Sequence, residues 1–209
     1  MPEPASRTIR VASTGEASGA PDRLTIDLGV VSRAPTARQA LSRANERAAE
    51  LIELLSREGV AKSDIATRSI SIHPHYDDKG KVAGYEASND VVVVLRDLAR
   101  AGEVIDAAAG AVGDDIRMGA LAFGIEDPGE LLADARREAV EKATRQASEL
   151  ALAAGVTLGP IRSIVEGPAG APPGPRPMLR AMAAAEAVPL EPGSQRLSVT
   201  VEIEWEITR

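Results

Sequence analysis

The pattern that most constrains this chain is a long amphipathic helix followed by a glycine stop and a strand, and it occurs twice. The clearer copy is Asp127–Ile164. Asp127 can cap the first free N–H groups, Pro128 suits the first helical position, and Glu130 can close a capping box. Leu132, Ala135, Ala139, Ala143, Ala147, Leu150 and Ala154 recur at helical steps and draw one apolar stripe. The stripe is mostly Ala, so the helix can lie close to whatever it covers. Glu138–Lys142 and Glu141–Arg145 are favourable pairs one turn apart. Gly155 stops the helix, and Val156 to Val165 follow as a strand.

The earlier copy is Pro35–Ile72. Thr36 and Gln39 predict a capping box, and Ala40, Leu41, Ala44, Ala48, Leu51, Ile52 and Leu55 form the stripe, ended by Gly59. Gly59-Val60 corresponds to Gly155-Val156, with Ile65 and Ile161 equally spaced beyond them. Two explanations stand: a degenerate internal repeat, with halves 7–96 and 97–207, or the common grammar of helix, Gly and strand in any α/β chain.

Other elements fill in the order. Arg7–Ser18 and Arg23–Ser32 read as two strands joined at Gly19-Ala20-Pro21-Asp22, the second with strict alternation of Leu24, Ile26, Leu28 and Val30. Ile65–Tyr76 and Val82–Arg96 predict a hairpin turned by Asp77-Asp78-Lys79-Gly80. Leu98–Gly110 predicts a shorter helix, and Asp115–Ile125 a strand with Leu121, Phe123 and Ile125 on one side. The last strand alternates most cleanly: Leu197, Val199, Val201, Ile203, Trp205 and Ile207 share one face, and Glu202, Glu204 and Glu206 the other. Before it lies a long excursion, 168–193, which holds seven of the fourteen prolines. Prolines at that density forbid a central strand. The expected fold is α+β: two β–α–β-type halves, a mostly antiparallel sheet covered by two long helices, and the Pro-rich arm before the last strand.

Composition narrows the function classes. Aromatic residues are 2% of the chain, so Val, Ile, Leu and Ala must build the core. The net charge of -7 and the lack of a basic cluster argue against a nucleic-acid partner. The chain has no Cys, which excludes disulfides, thiolate metal sites and thiol catalysis. No apolar stretch approaches the ~20 residues of a transmembrane helix. Residues 1–7 are polar and do not resemble a signal peptide. With Met1 as the natural start, a cytoplasmic protein is expected; with Met1 added to a mature chain, an exported, periplasmic or secreted one.

Candidate chemistry is sparse. His73 and His75 are the only histidines, two apart on one strand face, and could begin a metal site. Ile70 and Ile72 mark the other face as apolar, which places the His pair with Thr67, Ser69 and Ser71 on a solvated face. The G-x-S-x-G elbow, the P-loop and G-x-G-x-x-G are missing, and no carboxylate pair stands out, so neither catalytic residues nor a cofactor is expected. Within the Pro-rich arm, Met178, Leu179, Arg180 and Met182 combine adaptable apolar side chains with an Arg, a set that suits a subunit interface; a disordered loop is the competing reading.

Several further motifs, in this order and spacing, carry a resemblance. They are Val11-Ala12-Ser13-Thr14-Gly15-Glu16-Ala17 with Pro21-Asp22, Ala40-Leu41 and Ala44-Asn45, Gly59-Val60 leading to Asp64-Ile65-Ala66-Thr67, and Pro74-His75-Tyr76. Ala87-Ser88-Asn89-Asp90-Val91, Phe123-Gly124-Ile125 with Asp127-Pro128, Ala139 to Ala143, and Glu191-Pro192-Gly193 follow. On these the chain resembles the SIMPL-domain family, which includes YggE-like oxidative-stress-defence proteins and 26 kDa periplasmic immunogenic antigens. The resemblance runs nearly end to end and implies one SIMPL-type domain over 1–209. It also implies assembly into large oligomers and a link to oxidative-stress tolerance, and supplies no catalytic residues.

The expected function is therefore a non-enzymatic, homo-oligomer-forming protein with a binding or scaffold role. The alternatives are a metal-dependent enzyme using His73 and His75, and a peptide-binding module that captures a protein partner on a sheet edge.

Overall fold

The computed structural model describes residues 7–167 and 188–209. The arm residues Met178, Leu179, Arg180 and Met182 lie outside them. In chain order the elements are β1 (Thr8–Gly19), β2 (Arg23–Ala34), α1 (Ala37–Arg57), β3 (Ile65–Tyr76), β4 (Val82–Leu95), α2 (Ala101–Val112), β5 (Ile116–Gly124), α3 (Gly129–Ala154), β6 (Thr157–Glu166) and β7 (Gln195–Thr208). The fold is α+β with antiparallel pairing throughout, but the strands divide into two sheets, ordered β1-β7-β6 and β3-β4-β2-β5.

The chain forms two compact units. One contains described residues 7–20, 127–167 and 193–209; the other contains 21–126 and 188–192. The sequence halves 7–96 and 97–207 run across these units, because the second unit is inserted into the chain of the first. The strands β1 and β2, joined at Gly19–Asp22 and expected in one sheet, therefore enter different sheets.

The two units share one order of elements. In the second, β2 leads through α1 to β3, and β4 returns between them, giving the order β2-β4-β3. In the first, β1, α3, β6 and β7 stand in the same relation, β1-β7-β6. Both helices end alike. Val60 N–H donates to Leu55 O and Val156 N–H to Ala151 O, each at 3.0 Å, beside Gly59 at φ 91° and Gly155 at φ 66°. A left-handed residue is needed there to turn the chain out of the helix.

In the four-stranded unit, Leu51, Leu55 and Ala48 of α1 pack with Val104, Ile105 and Ala108 of α2 onto Leu24, Ile26, Leu28, Val91 and Val93. Thr36 caps α1, its Oγ1 accepting from Gln39 N–H at 3.3 Å. In the three-stranded unit, Ala135, Ala139, Ala143 and Ala147 pack onto Val11, Val199, Val201, Ile203 and Trp205. The α3 stripe ends at Ala151; Leu150 and Ala154, which the spacing also placed on it, are exposed. A strict four-residue step drifts slowly around a 3.6-residue helix and reaches Ala151 first. At its start, α3 begins at Gly129, and Asp127 Oδ1 accepts from Gly129 N–H at 2.9 Å; no side chain caps the helix at Pro128.

Candidate functional site

The expected His pair lies on β3, His73 opposite Glu86 and His75 opposite Gly84. Both imidazoles are exposed. The nearby Asp77 is occupied by the turn, its Oδ1 accepting from Lys79 and Lys81 N–H at 2.9 Å each. Among the described residues no three His, Asp or Glu side chains gather as metal ligands. Thr67, expected on the His face, lies on the opposite one. A register shift between Thr67 and Ser69 puts Thr67 opposite Val91, on the helix-covered side, and leaves Ser69, Ser71 and His73 on the open side.

That open side carries a polar network that alternation alone does not reveal. Ser69 Oγ donates to Asp90 Oδ2 at 2.9 Å, and Ser71 and Ser88 share a hydroxyl contact at 2.9 Å. Arg68 reaches across β4 to pair with Asp27. Asp90 lies over Gly29, where a Cβ would collide with Oδ1. These contacts hold the outer strand to its neighbours. His73 shares this side, but among the described residues no hydrogen bond joins its imidazole to the Ser hydroxyls, whose partners are Asp90 and one another. At the start of β3, Arg96 donates to Asp64 at 2.9 and 3.0 Å and holds that carboxyl below the usual aspartate range.

On the helix-covered side the outer strands are only partly covered: Ile65 of β3 and Phe123 of β5 pack against the core, and several other apolar side chains of both strands do not. The helix α1 lies over β2 and β4, and Ile70 and Ile72 of β3, opposite Asn89 and Ala87, stay 55% and 39% exposed. Pro74 is in phase with them and has no N–H to give, so this phase of β3 turns its backbone groups outward. Tyr76 and Val82 extend the apolar surface at the hairpin end. The opposite outer strand, β5, exposes Met118 and Leu121. In the other unit α3 covers β1 and β7, and Ile161 and Ile164 of β6 are 47% and 55% exposed. The acidic face of β7 is partly neutralised: Arg10 pairs with Glu202 at 3.5 Å and Glu204 at 3.4 Å. A hydrogen bond from Thr8, with Arg10 and Arg162 nearby, holds the Glu204 carboxyl below its ordinary range.

The SIMPL family model, described as a protein of unknown function (DUF541), matches residues 9–205. The chain belongs to the SIMPL family. It is 32% identical to the 26 kDa periplasmic immunogenic protein of Brucella melitensis over 219 residues, covering 97% of this chain and 86% of that one. It is also 32% identical to the uncharacterized protein YggE of Escherichia coli K12 over 159 residues, covering 75% of this chain and 64% of YggE. YggE of Edwardsiella ictaluri is 31% identical over 160 residues, with 75% and 66% covered. These SIMPL relatives carry no enzymatic name, and none supports the cytoplasmic expectation. No described helix is long and apolar enough to cross a membrane.

Proposed function

We propose that this SIMPL protein is a non-enzymatic subunit of a homo-oligomer with a binding or scaffold role, and that it works in the periplasm as its Brucella relative's name indicates for that protein. The observation that carries this reading is the pair Ile70 and Ile72. They sit on an outer strand whose backbone groups are unpaired on one side among the described residues, and monomeric proteins normally blunt such an edge. Pro74, His73 and His75 blunt only the far end of β3. Met118 and Leu121 give the opposite edge of the same sheet a second apolar patch. Two different patches on opposite edges suit head-to-tail contacts, which close into rings. The arm containing Met178, Leu179, Arg180 and Met182 belongs to the same proposal as an additional subunit contact. Any part in oxidative-stress defence is indirect, since the chain offers no thiol to turn over peroxide.

Light scattering tests the assembly. The native particle is expected at a multiple of the chain mass, and Ile70→Lys/Ile72→Lys is expected to reduce that mass, while Asp78→Lys in the exposed turn leaves it unchanged. A native monomer, or a double variant of unaltered mass, refutes the proposal.

A further inference from the structure

The three-stranded unit has a half-closed edge of its own. Here β1 is an outer strand with β7 as its neighbour. Ile207 N–H donates to Arg7 O at 3.1 Å, in line with the pairing register. Odd-numbered residues of β1 therefore bond to β7, and even-numbered ones turn their N–H and C=O outward.

Two of the outward groups are taken by α3. Glu16 N–H donates to the Glu138 carboxylate at 2.5 Å, and the Lys142 ammonium donates to Thr14 O at 3.2 Å. The bond from Glu16, then Lys142, holds the Glu138 carboxyl below its ordinary range. The helix can reach this part of the edge because Gly15 has no side chain: a Cβ there would strike the Ala135 carbonyl and Ala139 N–H. Glu138 and Lys142 thus occupy the second half of β1 much as a neighbouring strand would.

The first half is open. No hydrogen bond from α3 reaches Arg10 or Ala12 among the described residues. Between them and the helix runs a groove of about 590 Å³, lined by Arg10, Val11, Ala12, Gln146, Glu149, Leu150 and Ala153. Leu150 is 51% exposed. Glu149 forms no ion pair among the described residues, whereas Arg10 is already engaged by Glu202 and Glu204. The unspent charge of the groove is therefore negative.

We infer that this groove receives an extended basic peptide segment, which adds to the open half of β1 as a further strand. The outward groups of Arg10 and Ala12 bond the guest backbone. One guest side chain covers Leu150 and Ala153, and a Lys or Arg on the same side of the guest meets Glu149. The inference does not rest on the assembly reading, which uses other strands.

The test measures fluorescence anisotropy of two labelled peptides, Thr-Val-Thr-Lys-Thr-Val-Thr-Lys and its counterpart with Glu in place of Lys, on the full chain. The Lys peptide is expected to bind at least about tenfold more tightly than the Glu peptide. Glu149→Lys, an exposed helix substitution, is expected to reverse that preference. Ala12→Pro removes one outward N–H while sparing the ladder to β7, and is expected to weaken binding by about tenfold or more. Equal affinity for the two peptides overturns the inference, as does an unchanged preference in Glu149→Lys or unchanged binding in Ala12→Pro. So does failure of the Lys peptide to bind together with a fall in particle mass on Ala12→Pro, which would show a second copy of the chain in the groove.

Discussion

In the four-stranded unit the helix brings the large side chains to the core. Leu51 and Leu55 of α1 are fully buried, and the second helix adds Val104 and Ile105. In the three-stranded unit every fully buried position of the helix is Ala, with Leu132 and Val140 at the margin, and the sheet supplies the bulk through Trp205, Ile203 and the valines of β7. Both units share one order of strand, helix, strand and returning strand. The difference shows that such a topology asks for a filled space between helix and sheet and leaves open which side fills it. It also has a geometric consequence. An Ala-faced helix descends until backbones touch, as α3 does at Gly15; a Leu-faced helix stands higher.

The largest effect expected from this contrast is at Gly15. Gly15→Val drives a side chain into the α3 backbone, which cannot move aside as a side-chain tip could, at a cost of about 4 kcal/mol or more. Trp205 is the only Trp and lies in the same core, so its fluorescence reports the unfolding midpoint directly. A variant within about 1 kcal/mol of the wild type would show that α3 does not rest on β1.

Next comes the other core. Leu51→Ala leaves a cavity under α1 and is expected to cost about 3 kcal/mol in denaturant titration. The opposite change in the Ala-faced unit, Ala143→Leu, overfills the space and is expected to cost about 1–3 kcal/mol. If Ala143→Leu stabilised the protein instead, the close approach of α3 would be disproved.

Gly155→Val and Gly59→Val are expected to cost about 1–2 kcal/mol each, because a β-branched residue is strained at positive φ. Similar losses in melting experiments would confirm that the two helix ends are equivalent devices, and a loss at only one would separate them.

The smallest effect is electrostatic. The pairing with Arg96 depresses the Asp64 carboxyl in the folded state. Its contribution is present above the unfolded aspartate pKa of about 4 and is lost as pH falls through the lower folded value. Arg96→Ala should therefore lower stability slightly at neutral pH, with the difference from the wild type vanishing as pH falls below the folded value, which flattens the acid limb. An unchanged acid limb would mean that solvent screens the pair completely.

Much of the fold is legible in the sequence because the signals are local. Alternation marks β2 and β7, and Gly59 and Gly155 mark the helix stops. The division into two sheets is not legible, since nothing in Gly19–Asp22 tells β1 to seek β7, almost two hundred residues away in the chain. The bulge at Thr67–Ser69 is also silent, and it alone moves Thr67 to the other face. For the candidate surfaces, Ile70 and Ile72 read as core from alternation. Their exposure depends on how far α1 extends over the sheet, which is a tertiary quantity. The outer edge of β1 is likewise invisible until the strand order is known, although the Glu138–Lys142 pair that partly closes it is plain in the sequence.

The central claim is that β3 is an assembly edge, and amide hydrogen exchange at Ile70 and Ile72 in the native particle tests it most directly. These N–H groups turn outward and have no partner strand among the described residues. If β3 is buried between subunits, they exchange far more slowly than the exposed amide of Asp78 in the adjoining turn. Exchange of Ile70 and Ile72 as fast as that of Asp78 would contradict the account.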